Sequence, residues 1–349
     1  MSDAPQNVTD PVTAVDRRPL HMRHNVVDDQ VACVGNKGYS NLAQALKEGQ
    51  GEYIEVLRDC VITEPIDIST AGTTLDLKDN TVVFLSPGRH ATNQEDAGPA
   101  LTISAPGIRL RNGRLAVLSG ATYAIRVREA QGHRAELELS NIGIAYDGTG
   151  YAVTILEGIV LLRKARIDSA GSGVHLGSQS AHIGITGSRI VSSGNAASVC
   201  DGRLIMDGSE LASRNYHGIY AEGGLVGICA SVVGSYRSAA IVTRAPLHSG
   251  ISPSVRICEF SEVTAVKRQG LVLNGGNTTI LRSLIRSLEG SAIEMGTHSI
   301  FAPTRLSIAE EATISSWRRD GIVHRSGELY VNNAHIDARY EAIRESVIE

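Results

Sequence analysis

Apolar residues along this chain fall into short runs separated by turn residues rather than into long helical stripes. Residues 1–30 carry no apolar periodicity and read as a flexible N-terminal tail. The segment 40–49, SNLAQALKEG, is the one clear helical pattern. Ser40 or Asn41 can cap it, Leu42, Ala45 and Leu46 share a face, and Gly49 is a natural stop. Residues 31–52 therefore read as a cap containing a short helix. Beyond residue 53 the pattern turns to β, with YIEVL, CVITEPIDI, TTLDL and TVVFL in quick succession.

A unit then repeats: a small residue, any residue, an aliphatic one. It appears as Gly113-Arg114-Leu115, Ser140-Asn141-Ile142, Ala165-Arg166-Ile167, Ser188-Arg189-Ile190 and Ser209-Glu210-Leu211. It continues through Ser231-Val232-Val233, Ser261-Glu262-Val263, Ser283-Leu284-Ile285, Ala312-Thr313-Ile314 and Ala334-His335-Ile336, at spacings of 21 to 30 residues. Eight positions after Leu211, Val233, Val263, Ile285 and Ile314 stand Ile219, Ile241, Leu271, Ile293 and Ile322, each preceded by Gly or Ala. Fixed offsets held over many units are the mark of a solenoid. A β-sandwich has no reason to hold such an offset, and the LxxLxL pattern of leucine-rich repeats is absent. The expected fold over 53–349 is all-β: a right-handed parallel β-helix of about ten coils, closed at its N-terminal end by the helix.

Composition fits. Of 349 residues 42% are hydrophobic but only 4% aromatic, so the core must be built from Val, Ile, Leu and Ala. Glycine is frequent, at 36 residues, as many tight turns require. A net charge of −4, spread without runs, gives no electrostatic reason to expect nucleic acid. No apolar stretch is long enough for a membrane span. The first 30 residues contain no apolar core of a secretory signal, so the expectation is a cytoplasmic protein, or one exported by a route without a classical signal peptide. The five cysteines, Cys33, Cys60, Cys200, Cys229 and Cys258, show no metal spacing and read as buried reduced thiols. No metal and no cofactor is expected.

The short helix, the irregular strands ending in TTLDLKDNTVVFL, and coils of the GIRLRNGRL and GSELASRNYHGIYAEGG type resemble the pectin lyase-like superfamily over about residues 35–345. The resemblance implies three sheets per coil and a groove along one flank. In that superfamily the groove commonly holds an acidic or neutral polysaccharide, and members include pectate lyases, polygalacturonases, alginate lyases and epimerases. The DPHD of its alginate epimerases is missing here, and the GHG of its galacturonases has one echo, Tyr216-His217-Gly218. Asp207, Glu210 and Glu222 are scattered rather than gathered as calcium ligands.

Neighbouring coils of such a helix lie about 4.8 Å apart, so equivalent positions in successive coils are spatial neighbours. The stretch between the two aliphatic columns reads ASRNYHG, GSYRSAA, TAVKRQG, RSLEGSA and SSWRRDG. It gathers Arg214, Asn215, Tyr216 and His217, then Tyr236 and Arg237, then Lys267, Arg268 and Gln269, then Glu289, then Trp317, Arg318, Arg319 and Asp320. Cations neutralise uronate carboxylates and aromatics stack on sugar faces. Tyr216 or His217 would move the proton alpha to a carboxylate, and Arg237 with Lys267 would hold that carboxylate, helped by Asn215. Arg214, Tyr236, Arg268, Trp317, Arg318 and Asp320 would line the subsites. This predicts a lyase or C5-epimerase acting on an anionic polysaccharide. Hydrolysis needs two carboxylates about 5–9.5 Å apart, for which no close pair stands out. The same cluster also reads as a solvated flank. The rival is then a non-catalytic β-helix that binds glycan, forms a homo-oligomer or scaffolds other proteins. Insertions at 86–98 and 243–254 are placed to overhang the groove.

Overall fold

The computed structural model describes residues 29–85, 98–118, 121–130, 132–246, 251–296 and 303–345. The helix is Leu42–Glu48. Asn41 caps it, its side chain accepting the Ala43 N–H at 2.8 Å, and Gly49 ends it. Leu42, Ala45 and Leu46 are buried, and Leu42 and Leu46 share a small apolar cavity with Ile62, Leu75, Leu101 and Leu115 of the first coils. The helix thus covers core that an open first coil would leave wet. An antiparallel pair, Ala32–Val34 with Lys37–Tyr39, joins the first parallel strand Tyr53–Val56 beside it. Residues 1–28 of the tail and 86–97 of the insertion at 86–98 lie outside the described residues, as do 247–250 of the second insertion.

Every other pairing between named strands is parallel, coil on coil. Each coil contributes one strand to a twelve-stranded sheet and two to a larger one. Those two strands merge because Ile108–Leu118 and Glu136–Tyr146 run unbroken through the bend between them. Both aliphatic columns are in register. Leu211 pairs with Val233, Val263, Ile285, Ile314 and Ile336 in turn. Ile219 leads to Ile241, Leu271, Ile293, Ile322 and Ile343. From Leu211 to Ile314 and from Ile219 to Ile322 these side chains are fully buried. Burial of each such side chain is worth about 1.5–3 kcal/mol, so the continuous core dominates the fold.

One coil differs from the expected register. Ile142 pairs with Gly113, and Ile144 with both Leu115 and Ile167, two residues later than Ser140-Asn141-Ile142 implied. The bend explains it. The residue before each small position takes a left-handed conformation, from Asn112 (φ 55°) and Asn141 (φ 51°) through Lys164, Gly187, Gly208 and Ala230 to Asn333. Asn tolerates that conformation. The Asn141 amide also donates to Asn112 Oδ1 at 3.2 Å, which locks the two bends together.

The small column does more than avoid crowding. Ser188, Ser209, Ser231 and Ser261 are buried, and each hydroxyl accepts the backbone N–H of the small residue one coil earlier, at 3.0–3.3 Å. Each hydroxyl also donates to a carbonyl two or three residues before it. The ladder satisfies amides that the bend removes from the sheet. The Gly/Ala column has a steric reason: a Cβ on Gly218 would stand 2.7 Å from the Ala240 carbonyl oxygen, and one on Gly270 2.8 Å from that of Ala292.

Candidate active site on the outer face of the twelve-stranded sheet

Within the short strands of the twelve-stranded sheet, side chains alternate between core and exterior. In Ile219–Ala221 the flanking residues are buried in the core and Tyr220 points out. The register aligns the outward residues of successive coils into one column: Asp67, Thr102, Arg126, Thr154, His175, Ser198, Tyr220, Val242, Val272, Glu294 and Val323. Its middle is polar and largely shielded from solvent. Thr154 and Ser198 are buried, and Arg126, His175 and Tyr220 are half-buried.

Two tyrosine–histidine stacks occupy this face. Tyr151 lies on His175 with ring centroids 4.7 Å apart, and its hydroxyl donates to Ser198 Oγ at 3.4 Å. The Asn195 amide donates to the same Ser198 oxygen at 3.1 Å. Two coils on, His217 and Tyr220 are stacked at 5.8 Å. The Tyr220 hydroxyl donates to Glu222 Oε1 at 2.8 Å and receives Arg244 Nη1 at 3.5 Å. Burial pushes the Tyr220 hydroxyl above its ordinary range while Arg244 pulls it back, and burial holds both His175 and His217 below the usual histidine value. Both imidazoles are therefore neutral near pH 7. His217 Nδ1 stands 3.2 Å from the Ala239 carbonyl and 3.1 Å from Ser238 Oγ. A ring N–H donated to that carbonyl leaves Nε2 as the basic nitrogen.

The loops expected to hold the site form one rim of this face. Ser213, Ser235, Ser287 and Ser316 brace them, each hydroxyl accepting the backbone N–H three residues on. Backbone hydrogen bonds run from Tyr236 back to Ser213, from Lys267 to Tyr236 and from Glu289 to Val266. These bring Asn215, Arg237, Lys267, Glu289 and Arg318 into one column along the rim, next to another of Arg214, Tyr236, Val266, Leu288 and Trp317. Lys267 is ion-paired with Glu289 at 2.6 Å. Arg237, Arg268, Arg318 and Trp317 are exposed. Tyr216 is 60% exposed, and the tyrosine set beside His217 is Tyr220 instead. Asp320 is buried and serves the architecture, accepting the Glu341 N–H and pairing with Arg344 at 3.1 Å.

Tyr151, Tyr220, His175, Ser198, Arg126 and Arg244 were not among the residues expected. The signal for most of them lies in the middle letter of Ile-Arg-Val, Val-His-Leu, Ala-Ser-Val and Ile-Tyr-Ala, a polar residue between two core positions one coil apart. The reading of the cysteines needs correction: Cys60 and Cys258 are buried and all five are free thiols, but Cys33 and Cys229 are half-buried and Cys200 is exposed. Cys200 follows Val199 at the end of its strand, past the last core position. Among the described residues no three His, Cys, Asp or Glu side chains cluster as a metal site, and no helix is long and apolar enough to cross a membrane.

No protein-family model and no curated protein matches this chain. Solved structures do. The mannuronan C-5 epimerase AlgE4 A-module of Azotobacter vinelandii superposes with a TM-score of 0.53 at 13% identity, over 82% of this chain and 91% of that one. The catalytic domain of a GH87 alpha-1,3-glucanase, solved in complex with nigerose, superposes with a TM-score of 0.53 at 11% identity, over 88% of this chain and 66% of that one. Both are right-handed parallel β-helix proteins of the pectin lyase-like superfamily. The fold of this chain is theirs.

Proposed function

We propose that this protein is a carbohydrate-active enzyme, a lyase or C5-epimerase that seats an acidic polysaccharide across the outer face of the twelve-stranded sheet. The observation that carries this reading is the His217–Tyr220–Glu222–Arg244 set: a neutral imidazole, a phenol and a carboxylate, all half-buried, with an exposed guanidinium beside them. Abstraction of the proton alpha to a uronate carboxylate needs a base and a cation for the charge that develops. His217 Nε2 is the base in this scheme. Arg244 steadies the charge, and the Tyr220 hydroxyl, poised between Glu222 and Arg244, passes a proton to the leaving oxygen or to the opposite ring face. The rim cations Arg237 and Arg268 add attraction for a polyanion, while the charge of Lys267 is offset by Glu289. Glu294 is poorly suited to act as a second hydrolytic carboxylate, since Gln269 and Arg325 already bind it.

A panel of acidic and neutral glycans tests this, read by absorbance of an unsaturated product and by NMR of uronate stereochemistry. Tyr220→Phe and His217→Gln are expected to lower turnover by about 10²–10⁴-fold with little change in melting temperature. Wild-type rates in both variants would remove the chemistry from this face. Binding of acidic glycans without any turnover would leave a non-catalytic glycan-binding solenoid as the better reading.

A further inference from the structure

Two of the five free thiols face each other. Cys229 ends the strand Leu225–Cys229, Cys258 ends Ser254–Cys258 one coil on, and the two residues pair in register. Their Sγ atoms stand 2.9 Å apart, one thiol donating to the other. Ile228 and Ile257 before them are fully buried in the core, so both cysteines point to the outside of the sheet, in line with Asp207 of the preceding coil. Cys258 is only 6% exposed yet takes no part in the continuous apolar core, whereas Cys60 does. Core packing therefore does not account for the pair. The serine ladder holds both backbones in the same way: Ser231 Oγ donates to the Cys229 carbonyl, Ser261 Oγ to the Cys258 carbonyl, and the Ser231 N–H to Ser261 Oγ. Successive coils lie about 4.8 Å apart, inside the range of about 4.4–6.8 Å between Cα atoms that a disulfide spans. Cys33 lies opposite Gly38 and Glu55, Cys60 opposite Val82, and Cys200 outside any strand, so no second such pair exists among the described residues.

We propose that Cys229 and Cys258 are a modification site, a preset dithiol that a low-molecular-weight disulfide oxidises to a cross-link between two coils. Cys229 is the half-buried member, so it meets the oxidant first. Its thiolate attacks one sulfur of the reagent RSSR, leaving a mixed disulfide on Cys229 and releasing RS⁻, which takes up the proton that Cys229 gave. Cys258 then attacks the Cys229 sulfur, the new S–S bond forms, and the second RSH departs with the Cys258 proton. Two cysteines are oxidised and one reagent disulfide is reduced to two thiols. The second step needs no rearrangement of the coils, because the two sulfurs are already in contact. The first step is slow. The adjoining Cys258 thiol, burial and the charges of Asp207 and Glu259 push the Cys229 thiol up to about 11, so little thiolate exists near neutral pH. That is the character of a structural staple, not of a catalytic thiol. The bond closes the stretch from 229 to 258, which carries Tyr236, Arg237 and Arg244, and pins that turn of the solenoid to the next.

The test treats the folded full chain with oxidised glutathione, unfolds it, blocks the remaining thiols by alkylation and reads tryptic peptides by mass spectrometry. Peptides 215–237 and 257–267, which hold Cys229 and Cys258, should appear joined and lighter by two hydrogens, and dithiothreitol should separate them. The cross-linked protein should melt about 3–6 °C above the reduced one. Cys258→Ala should yield no joined peptide and no gain in melting temperature, and should keep glutathione on Cys229, since no thiol is left to displace it. The proposal fails if the joined peptide forms only from chain unfolded in urea, or if the unmutated protein also keeps glutathione on Cys229. It fails equally if the cross-link forms but lowers the melting temperature, for the coils would then have been pulled out of their native register to make it.

Discussion

Replacing Ser209 by Ala should unfasten one step of the serine ladder. Ser209 is 5% exposed, and its hydroxyl accepts the Ser188 N–H at 3.2 Å and donates to Asp207 O at 2.8 Å. Alanine fits the space but leaves the Ser188 amide buried without an acceptor, and water cannot reach it cheaply. An orphaned buried amide costs about 1–3 kcal/mol. The Asp207 carbonyl loses less, since it also accepts the Gly187 N–H at 3.1 Å. With an unfolding entropy of about 2.1 cal/mol/K per residue over about 300 residues, that cost lowers the melting temperature by about 2–5 °C. The assay is a thermal melt followed by circular dichroism, paired with amide hydrogen exchange resolved at Ser188. The control is Val232→Ala, a side chain 43% exposed in the next coil, which should move the melt by far less. If Ser209→Ala melts like wild type, or if it melts lower while the Ser188 amide stays equally protected, the ladder does not hold these bends.

Leu46→Asp places a carboxylate against the first coil's core, where Leu46 is 2% exposed, and should cause aggregation or a large fall in melting temperature; a monomer of wild-type stability by light scattering and thermal melt would show that the helix does not seal the end. Gly218→Ala drives a methyl to within 2.7 Å of the Ala240 carbonyl and should cost about 1–3 kcal/mol in denaturant titration, whereas an unchanged midpoint would show that the column yields. Burial lowers the His175 and His217 pKa values from 6.5, so the unfolded chain takes up protons that the folded one refuses. Stability from this source is complete above about pH 7.5 and is lost as pH falls through the unfolded histidine value; a denaturation midpoint that falls on acidification, with a shallower fall in His175→Gln/His217→Gln, is the expected result, and identical slopes would contradict it.

The core was legible because its aliphatic side chains recur both within a coil, at an offset of eight, and between coils. The register slip at Ile142 arose where the chain reads Ile-Gly-Ile, which offers two aliphatic residues for one position. The deciding information was conformational: Asn141 bends as Asn112 does. The polar column was harder to read for a different reason. Arg126, Thr154, His175, Ser198 and Tyr220 lie 21 to 28 residues apart, each alone between core residues, and only the pairing of strands makes them neighbours. The rim loops stood out because their polar residues are contiguous in sequence. His217 belongs to both groups, being a loop residue whose ring turns back over the sheet to reach Tyr220.

Because each bend from Lys164 to Asn333 is followed by the same kind of small residue, Ser or Ala, the coils there are interchangeable units. Excising residues 261–282 would join Phe260, itself in the left-handed conformation at φ 61°, to Ser283. Ser231 would then face the hydroxyl of Ser283 as it now faces that of Ser261. Val233 and Ile241 would meet Ile285 and Ile293 with the core columns unbroken, and the coil removed would be the one bearing Val272 and the rim residues Lys267, Arg268 and Gln269, two coils on from Tyr220. The length of the solenoid is therefore a quantised property of the gene, adjustable in increments of one coil, about 4.8 Å. Tandem duplication and deletion are then a ready evolutionary route to solenoids of different length, without redesign of the fold.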